Sequence, residues 1–221
     1  MTRRFLGILM FALSLALPAM AGAADGVELA SFPPPGQLKY TISRDGDQIG
    51  SQSVEFIRNG RQLIVRSRVD IAVKFLGIKV YVFKHSAEEE WTNGQLTRLN
   101  SVTDDDGDDR KVDLVLEGDV LRGMYNGARR EFPVGIIPTS FWHPDTVTQT
   151  VLLDQVKCRT RDVQITDKGI EQITIKGHKV GARHYSMTGQ IKRELWYGPD
   201  GQLAMLRFPA KDGSEITVKL R

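Results

Sequence analysis

Polar and apolar positions alternate with a period of two along most of this chain. "EITVKL" places Ile216, Val218 and Leu220 on one face, and "KVDLVL" does the same with Val112, Leu114 and Leu116. Successive side chains of a strand point to opposite faces, so this is the pattern of a sheet with one packed face and one wet face. Turn dipeptides punctuate the segments: "RDGD" from Arg44, "RNGR" from Arg58, "TNGQ" from Thr92, "DDGD" from Asp105, "YNGA" from Tyr125, "DKGI" from Asp167, "PDGQ" from Pro199 and "KDGS" from Lys211. Asn-Gly and Asp-Gly favour tight hairpins because both central residues need positive φ, which glycine adopts freely and Asn or Asp tolerates. The pattern predicts an all-β fold, a curled antiparallel meander sheet forming an open or half β-barrel, because strand twist accumulates and curling protects edges. At most a short helix is expected near 144–153, where Pro144 or Asp145 can start one and Val147, Val151 and Leu152 would share a face; three threonines weaken it.

One stretch breaks the alternation. "VDIAVKFLGIKVYVF", Val69 to Phe83, is apolar on both faces around Gly77. It reads either as a strand pair lining an apolar cavity or lipid-facing mouth, or as a central strand covered on both sides by the protein itself. The first reading makes Phe75, Leu76, Ile78, Val80, Tyr81 and Phe83 candidate contacts for an apolar ligand. "TSFWHP" adds Phe141 and Trp142, an aromatic corner suited either to plugging a barrel mouth or to packing the core.

The first residues set the compartment. Arg3 and Arg4, the apolar run from Phe5 to Leu17 and the small residues ending at Ala24 have the three parts of a secretory signal, so residues 1–24 are expected to be removed and 25–221 to form one all-β domain. The expected location is periplasmic or secreted. No later segment is apolar for long enough to span a bilayer as a helix. Removal of the signal takes two of 30 basic residues and none of 27 acidic ones, so a formal charge of +3 falls to +1. With no basic cluster paired to aromatics, nucleic-acid binding is not expected. Cys158 is the only cysteine, which leaves no internal disulfide and reads as a small buried residue.

Chemistry is sparse. His178 and His184 are the closest pair of the four histidines and carry no zinc-type spacing, while Ser140, His143 and Asp145 lie within six residues and cannot form a triad built from separate elements. Carboxylates or histidines converging from separate strands as a hydrolase site remain an alternative that local sequence does not decide. "TDDDGDD", Thr103 to Asp109, is the densest acidic feature. A turn centred on Asp106 and Gly107 sets Asp105 opposite Asp108 and Asp104 opposite Asp109, a repulsion of roughly 0.2–1 kcal/mol per pair. Its register misses the helix-loop-helix calcium loop at Val102. The aspartates are either splayed into water or, through Asp104, Asp106 and Asp108, form a weak calcium site; no other cofactor is expected.

"LKYTISRDGDQIGSQSVEF" from Leu38, "LTRLNSVTDDDGDDRKV" from Leu96, "TSFWH" from Thr139 and "ELWYGPDGQLAMLRFPAKDGSEITVKL" from Glu194 together resemble exported bacterial proteins grouped as a domain of unknown function. The resemblance implies a periplasmic all-β domain and carries no activity with it. The curled sheet is also similar, by analogy of fold, to envelope carriers that hold lipoprotein acyl chains in a half barrel. The functional expectation is a non-catalytic binding or carrier domain whose partner is a lipid, another apolar ligand or an envelope protein; the other alternative is an envelope structural or interaction module that pairs through a sheet edge.

Overall fold

The structure, a computed structural model, describes residues 34, 36–76 and 78–221; the expected signal segment 1–24, Gly77 and the side chain of Phe75 lie outside the described residues. The strands run β1 Gly36–Arg44, β2 Asp47–Asn59, β3 Gln62–Phe75, β4 Ile78–Thr92 and β5 Gln95–Asp105. They continue as β6 Asp108–Glu117, β7 Val120–Tyr125, β8 Ala128–Pro133, β9 Ile137–Pro138 and β10 Val151–Asp154. The last five are β11 Arg159–Ile175, β12 His178–Gly189, β13 Arg193–Tyr197, β14 Leu203–Pro209 and β15 Glu215–Leu220.

All fifteen form one sheet, with the first and last strands paired in its middle and β8 and β9 at its two edges. Every pairing is antiparallel except the short parallel contact of β9 with β10. The edges follow one another along the chain through residues 134–136. Three intervening residues span at most about 14 Å. The sheet therefore curls until its edges are close, yet no ladder joins β8 to β9, and the barrel stays open there.

Alternation decides what lies inside the curl. Leu99 and Leu114 on one wing and Leu152 and Leu195 on the other are fully buried, and they belong to one continuous core. Cys158 is buried in the same core, and burial pushes its thiol up to about 11, so it stays protonated at neutral pH.

The hairpins follow the turn residues closely. Asp106 (φ 56°) and Gly107 (φ 89°) form the expected two-residue turn, with Asp105 opposite Asp108 and Asp104 opposite Asp109. One expected turn is corrected: Asp167-Lys168-Gly169 is a bulge inside the continuous strand β11, Gly169 taking φ 88°, and the chain reverses instead at Lys176-Gly177. A bulge and a turn need the same positive-φ residue, so the dipeptide alone cannot separate them. The helix near 144–153 shrinks to a 3-10 turn over Pro144–Thr148, capped by His143, whose Nδ1 accepts from the Asp145 N–H. Val151 and Leu152 continue as β10, because pairing with β11 satisfies backbone groups that a threonine-rich helix would hold poorly.

Candidate functional site

One end of the curl holds a cavity. Its inner chamber, about 200 Å³, lies between Ile42 of β1, Val69 and Ile71 of β3, Phe83 of β4, Phe141, and the β14–β15 residues Leu206 and Val218. Outside it opens a wider vestibule of about 500 Å³. Phe83, Thr139, Phe141, Gln155, Val156 and Arg193 line both, so the two spaces share a wall.

The chamber is apolar except at a few atoms. His85 is only 5% exposed; its Nδ1 lies 2.8 Å from the Thr103 hydroxyl, and its Nε2 has no hydrogen-bond partner in the protein. Burial lowers its pKa to about 4, so the ring is neutral at physiological pH. Gln155 is 7% exposed and its Oε1 is likewise without a partner, although its backbone is fixed by Ser101 Oγ donating to its carbonyl at 2.6 Å. A buried polar atom left unpaired costs roughly 1–3 kcal/mol. Two such atoms lining one cavity are groups that a bound molecule can satisfy.

The vestibule is basic. Arg110, Lys157, Arg161, Lys192 and Arg193 line it against only Asp105 and Asp154, five positive charges against two negative. Two of the five are neutralised locally. Arg161 donates to Asp154 Oδ2 at 2.6 and 2.9 Å, and Arg110 donates to Asp105 at 3.0 Å and to Asp108. Asp154 also accepts the backbone N–H groups of Val156 and Lys157, which shapes the turn carrying Gln155.

Arg193 stands at the junction of the two spaces. Its guanidinium lies 4.0 Å over the Phe208 ring and donates to the Lys192 carbonyl. Among the described residues, no carboxylate is within salt-bridge distance of it. Burial lowers its pKa to about 10, which still leaves it charged at neutral pH. A half-buried cation with no salt bridge of its own, attracted only at longer range by Asp154, faces both an apolar chamber and a basic vestibule.

Behind Phe141 the same segment is sealed. Glu89 is fully buried and accepts the indole N–H of Trp91 and of Trp142 at 3.0 Å each. Trp142 meets Trp91 edge-on at 5.3 Å and Phe56 at 5.6 Å, and His143 packs 4.7 Å from Trp91. Burial pushes the Glu89 carboxyl up to about 7, against the opposing hydrogen bonds of Trp91 and Trp142. Phe141 is held in the left-handed region at φ 61°, with its carbonyl accepting from Tyr197 Oη at 2.9 Å. A bulky residue adopts that conformation only where its surroundings impose it.

The chain belongs to the DUF6134 family. The family's model, described as a domain of unknown function, matches residues 40–221. No curated protein matches the sequence. In this DUF6134 domain the residues singled out from sequence separate into three places. Phe83 and Phe141 line the chamber, whereas Trp142 belongs to the sealed knot. Tyr81 donates its hydroxyl to Asp105 at 2.7 Å, and Leu76, Ile78 and Val80 stand in solvent at the far end of the β3–β4 hairpin.

The three candidate ligands of the acidic turn, Asp104, Asp106 and Asp108, all have protein partners. Asp104 Oδ1 accepts from Gly107 N at 2.8 Å, Asp106 Oδ1 from Val82 N at 3.3 Å, and Asp108 pairs with Arg110. Among the described residues no three His, Cys, Asp or Glu side chains converge as a metal site. Ser140 and His143 do not form a relay, since His143 Nδ1 accepts from the Asp145 N–H to cap the 3-10 turn. His184 lies between Glu171 at 3.1 Å and Glu194 at 2.6 Å and stacks on Trp196 at 4.4 Å. Ser186 donates to Glu194 rather than to this histidine, so the cluster is a hydrogen-bonded network without an activated nucleophile.

Sequence reasoning missed Glu89, His85, Gln155 and Arg193. The first two carried a signal: in "HSAEEEWT" the period of two puts His85, Ala87, Glu89 and Trp91 on one face, and all four are buried. Gln155 and Arg193 lie at a turn and a strand start, where no periodicity points to a cavity.

Proposed function

We propose that this domain is a non-catalytic binding or carrier module for a small amphipathic anion, working outside the cytoplasm as its first residues predict. The apolar body of the ligand occupies the inner chamber and its acidic head meets Arg193 at the vestibule. The observation that carries this reading is the unneutralised Arg193 at the junction of an apolar chamber and a basic approach. A cation already stripped of part of its water, with no carboxylate in salt-bridge contact, binds an anion more strongly than a surface lysine does. The vestibule field also steers anions inward. His85 Nε2 and Gln155 Oε1 supply polar partners deeper in the chamber, where a purely hydrocarbon ligand would leave them unpaired.

The test is a titration of the exported chain with the anionic probe anilinonaphthalene sulfonate, followed by competition with medium-chain fatty acids. Saturable binding is expected, abolished by Val69→Phe, which fills the chamber, and weakened about tenfold by Arg193→Met, equivalent to about 1.4 kcal/mol. Binding that neither substitution alters sinks the proposal.

A further inference from the structure

The segment from Ile71 to Phe83 contains Lys74 and Lys79 and no acidic residue. It forms the end of the β3–β4 hairpin, and there the ladders that join it to the neighbouring strands stop. The β2 ladder reaches β3 only as far as Ile71, paired with Gly50, and the β5 ladder reaches β4 only as far as Phe83, paired with Asp105. Past those rungs the two strands pair only with each other, through Ala72 with Val82 and Val73 with Tyr81. At about 3.3 Å per residue, the five positions from Ala72 to Leu76 carry the ribbon roughly 16 Å past its last rung with β2, its base sharing a cleft with Asp45, Asp47 and Gln48 of the β1–β2 turn.

Its outer end is apolar in the wrong place for a protein in water. Leu76 is 87% exposed, Ile78 70% and Val80 53%. Lys74 sits directly opposite Lys79 across the ribbon. Like charges in that position repel, and an anion between them removes the repulsion. The acidic turn braces the base of the ribbon: Asp106 N donates to the Val82 carbonyl at 2.8 Å, Val82 N donates to Asp106, and Tyr81 donates to Asp105. The projection is thus anchored where it leaves the sheet, and Ile71 and Phe83 at that point both line the inner chamber.

We propose that the β3–β4 ribbon docks the domain onto an anionic lipid surface, with Leu76, Ile78 and Val80 entering the acyl boundary and Lys74 and Lys79 meeting acidic headgroups. Exposed aliphatic side chains flanked by lysines match the interfacial zone of a bilayer, where apolar burial and headgroup attraction add. A second copy of the chain is a poorer occupant, because two ribbons meeting tip to tip would bring four lysines together. Docking in this way sets the base of the ribbon, and with it one wall of the chamber, toward the membrane.

The experiment is flotation of the exported chain with vesicles of phosphatidylethanolamine and phosphatidylglycerol, compared with phosphatidylcholine alone. Binding to the anionic vesicles is expected at least tenfold above the neutral ones and should weaken as salt is raised. Leu76→Asp combined with Ile78→Asp should abolish it, and Lys74→Glu combined with Lys79→Glu should remove the preference for anionic lipid. Because these side chains support no core, both variants should keep the wild-type melting temperature and the wild-type uptake of the naphthalene sulfonate probe. That second readout separates this inference from the cavity reading. Absence of flotation on anionic vesicles, flotation indifferent to both double substitutions, or a concentration-dependent dimer that Ile78→Asp dissociates would each overturn it.

Discussion

The two sides of the Thr139–His143 segment were built to opposite specifications from the same kinds of residue. On one side Trp142 and His143 close against Trp91 around Glu89, and both indole N–H groups end on one carboxylate oxygen. On the other side Phe141 faces a chamber where His85 Nε2 and Gln155 Oε1 lack partners and Arg193 makes no salt bridge. Two indole donors paired on one buried carboxylate hold the sheet to its plug, whereas unpaired groups around a cavity leave stability unused and can be completed by a ligand.

The comparison breaks first at Glu89. Glu89→Ala leaves two buried indole donors without an acceptor and should lower unfolding free energy by about 2–5 kcal/mol, measured by urea denaturation. A loss below 1 kcal/mol would mean that the knot does not hold the plug.

The pH dependence sharpens the same side. Glu89 has its pKa raised from 4.5 to about 7, so the unfolded chain releases its proton first. Its stabilisation is complete below pH 4.5 and is lost as pH rises through about 7, on the order of 3 kcal/mol. His85 and His143, lowered from 6.5 to about 4, act in the opposite sense, losing stability as pH falls below 6.5. Glu89→Gln keeps an oxygen acceptor for the indoles and removes only the first effect. Its stability relative to wild type should climb between pH 4.5 and 7 and then level off; a flat difference would refute the assignment.

Across the partition, Arg193→Met should separate stability from binding. Probe affinity should fall about tenfold, while thermal stability stays level or rises by about 1 kcal/mol, because a half-buried cation without a salt bridge is replaced by an apolar side chain. If the substitution instead destabilises by more than 2 kcal/mol, Arg193 belongs with the structural residues and the contrast fails.

The smallest effect is expected at the acidic turn. Asp109→Asn relieves its opposition to Asp104 and should stabilise by about 0.2–1 kcal/mol. Because Arg110 already supplies a cation to Asp105 and Asp108, millimolar calcium should leave the melting temperature unchanged. A calcium-dependent rise would restore the weak metal site.

Much of the fold was legible because its rules are local. The period of two identified the strands, and Asp106-Gly107 identified a hairpin together with its cross-strand aspartate pairs. The failures were local as well: Lys168-Gly169 satisfies a bulge as readily as a turn. The site was far less legible. Leu76, Ile78 and Val80 share their apolar character with Phe83, but only the end of the β2 and β5 ladders makes the first three a projection and the last a cavity wall. "EEE" reads as a solvated run until Glu89 is placed on the inward face between Ala87 and Trp91.

By itself, then, the sequence determined the strands, most of their reversals and the kind of sheet, since each depends on the conformational freedom and polarity of neighbouring residues. Tertiary structure alone decided that β8 and β9 stay unpaired, that Arg193 from β13 comes to share a wall with Phe83 from β4, and that His85 and Gln155 line one space. Those outcomes depend on how far a fifteen-stranded sheet curls, which is set by twist summed over all its ladders and is written in no single segment.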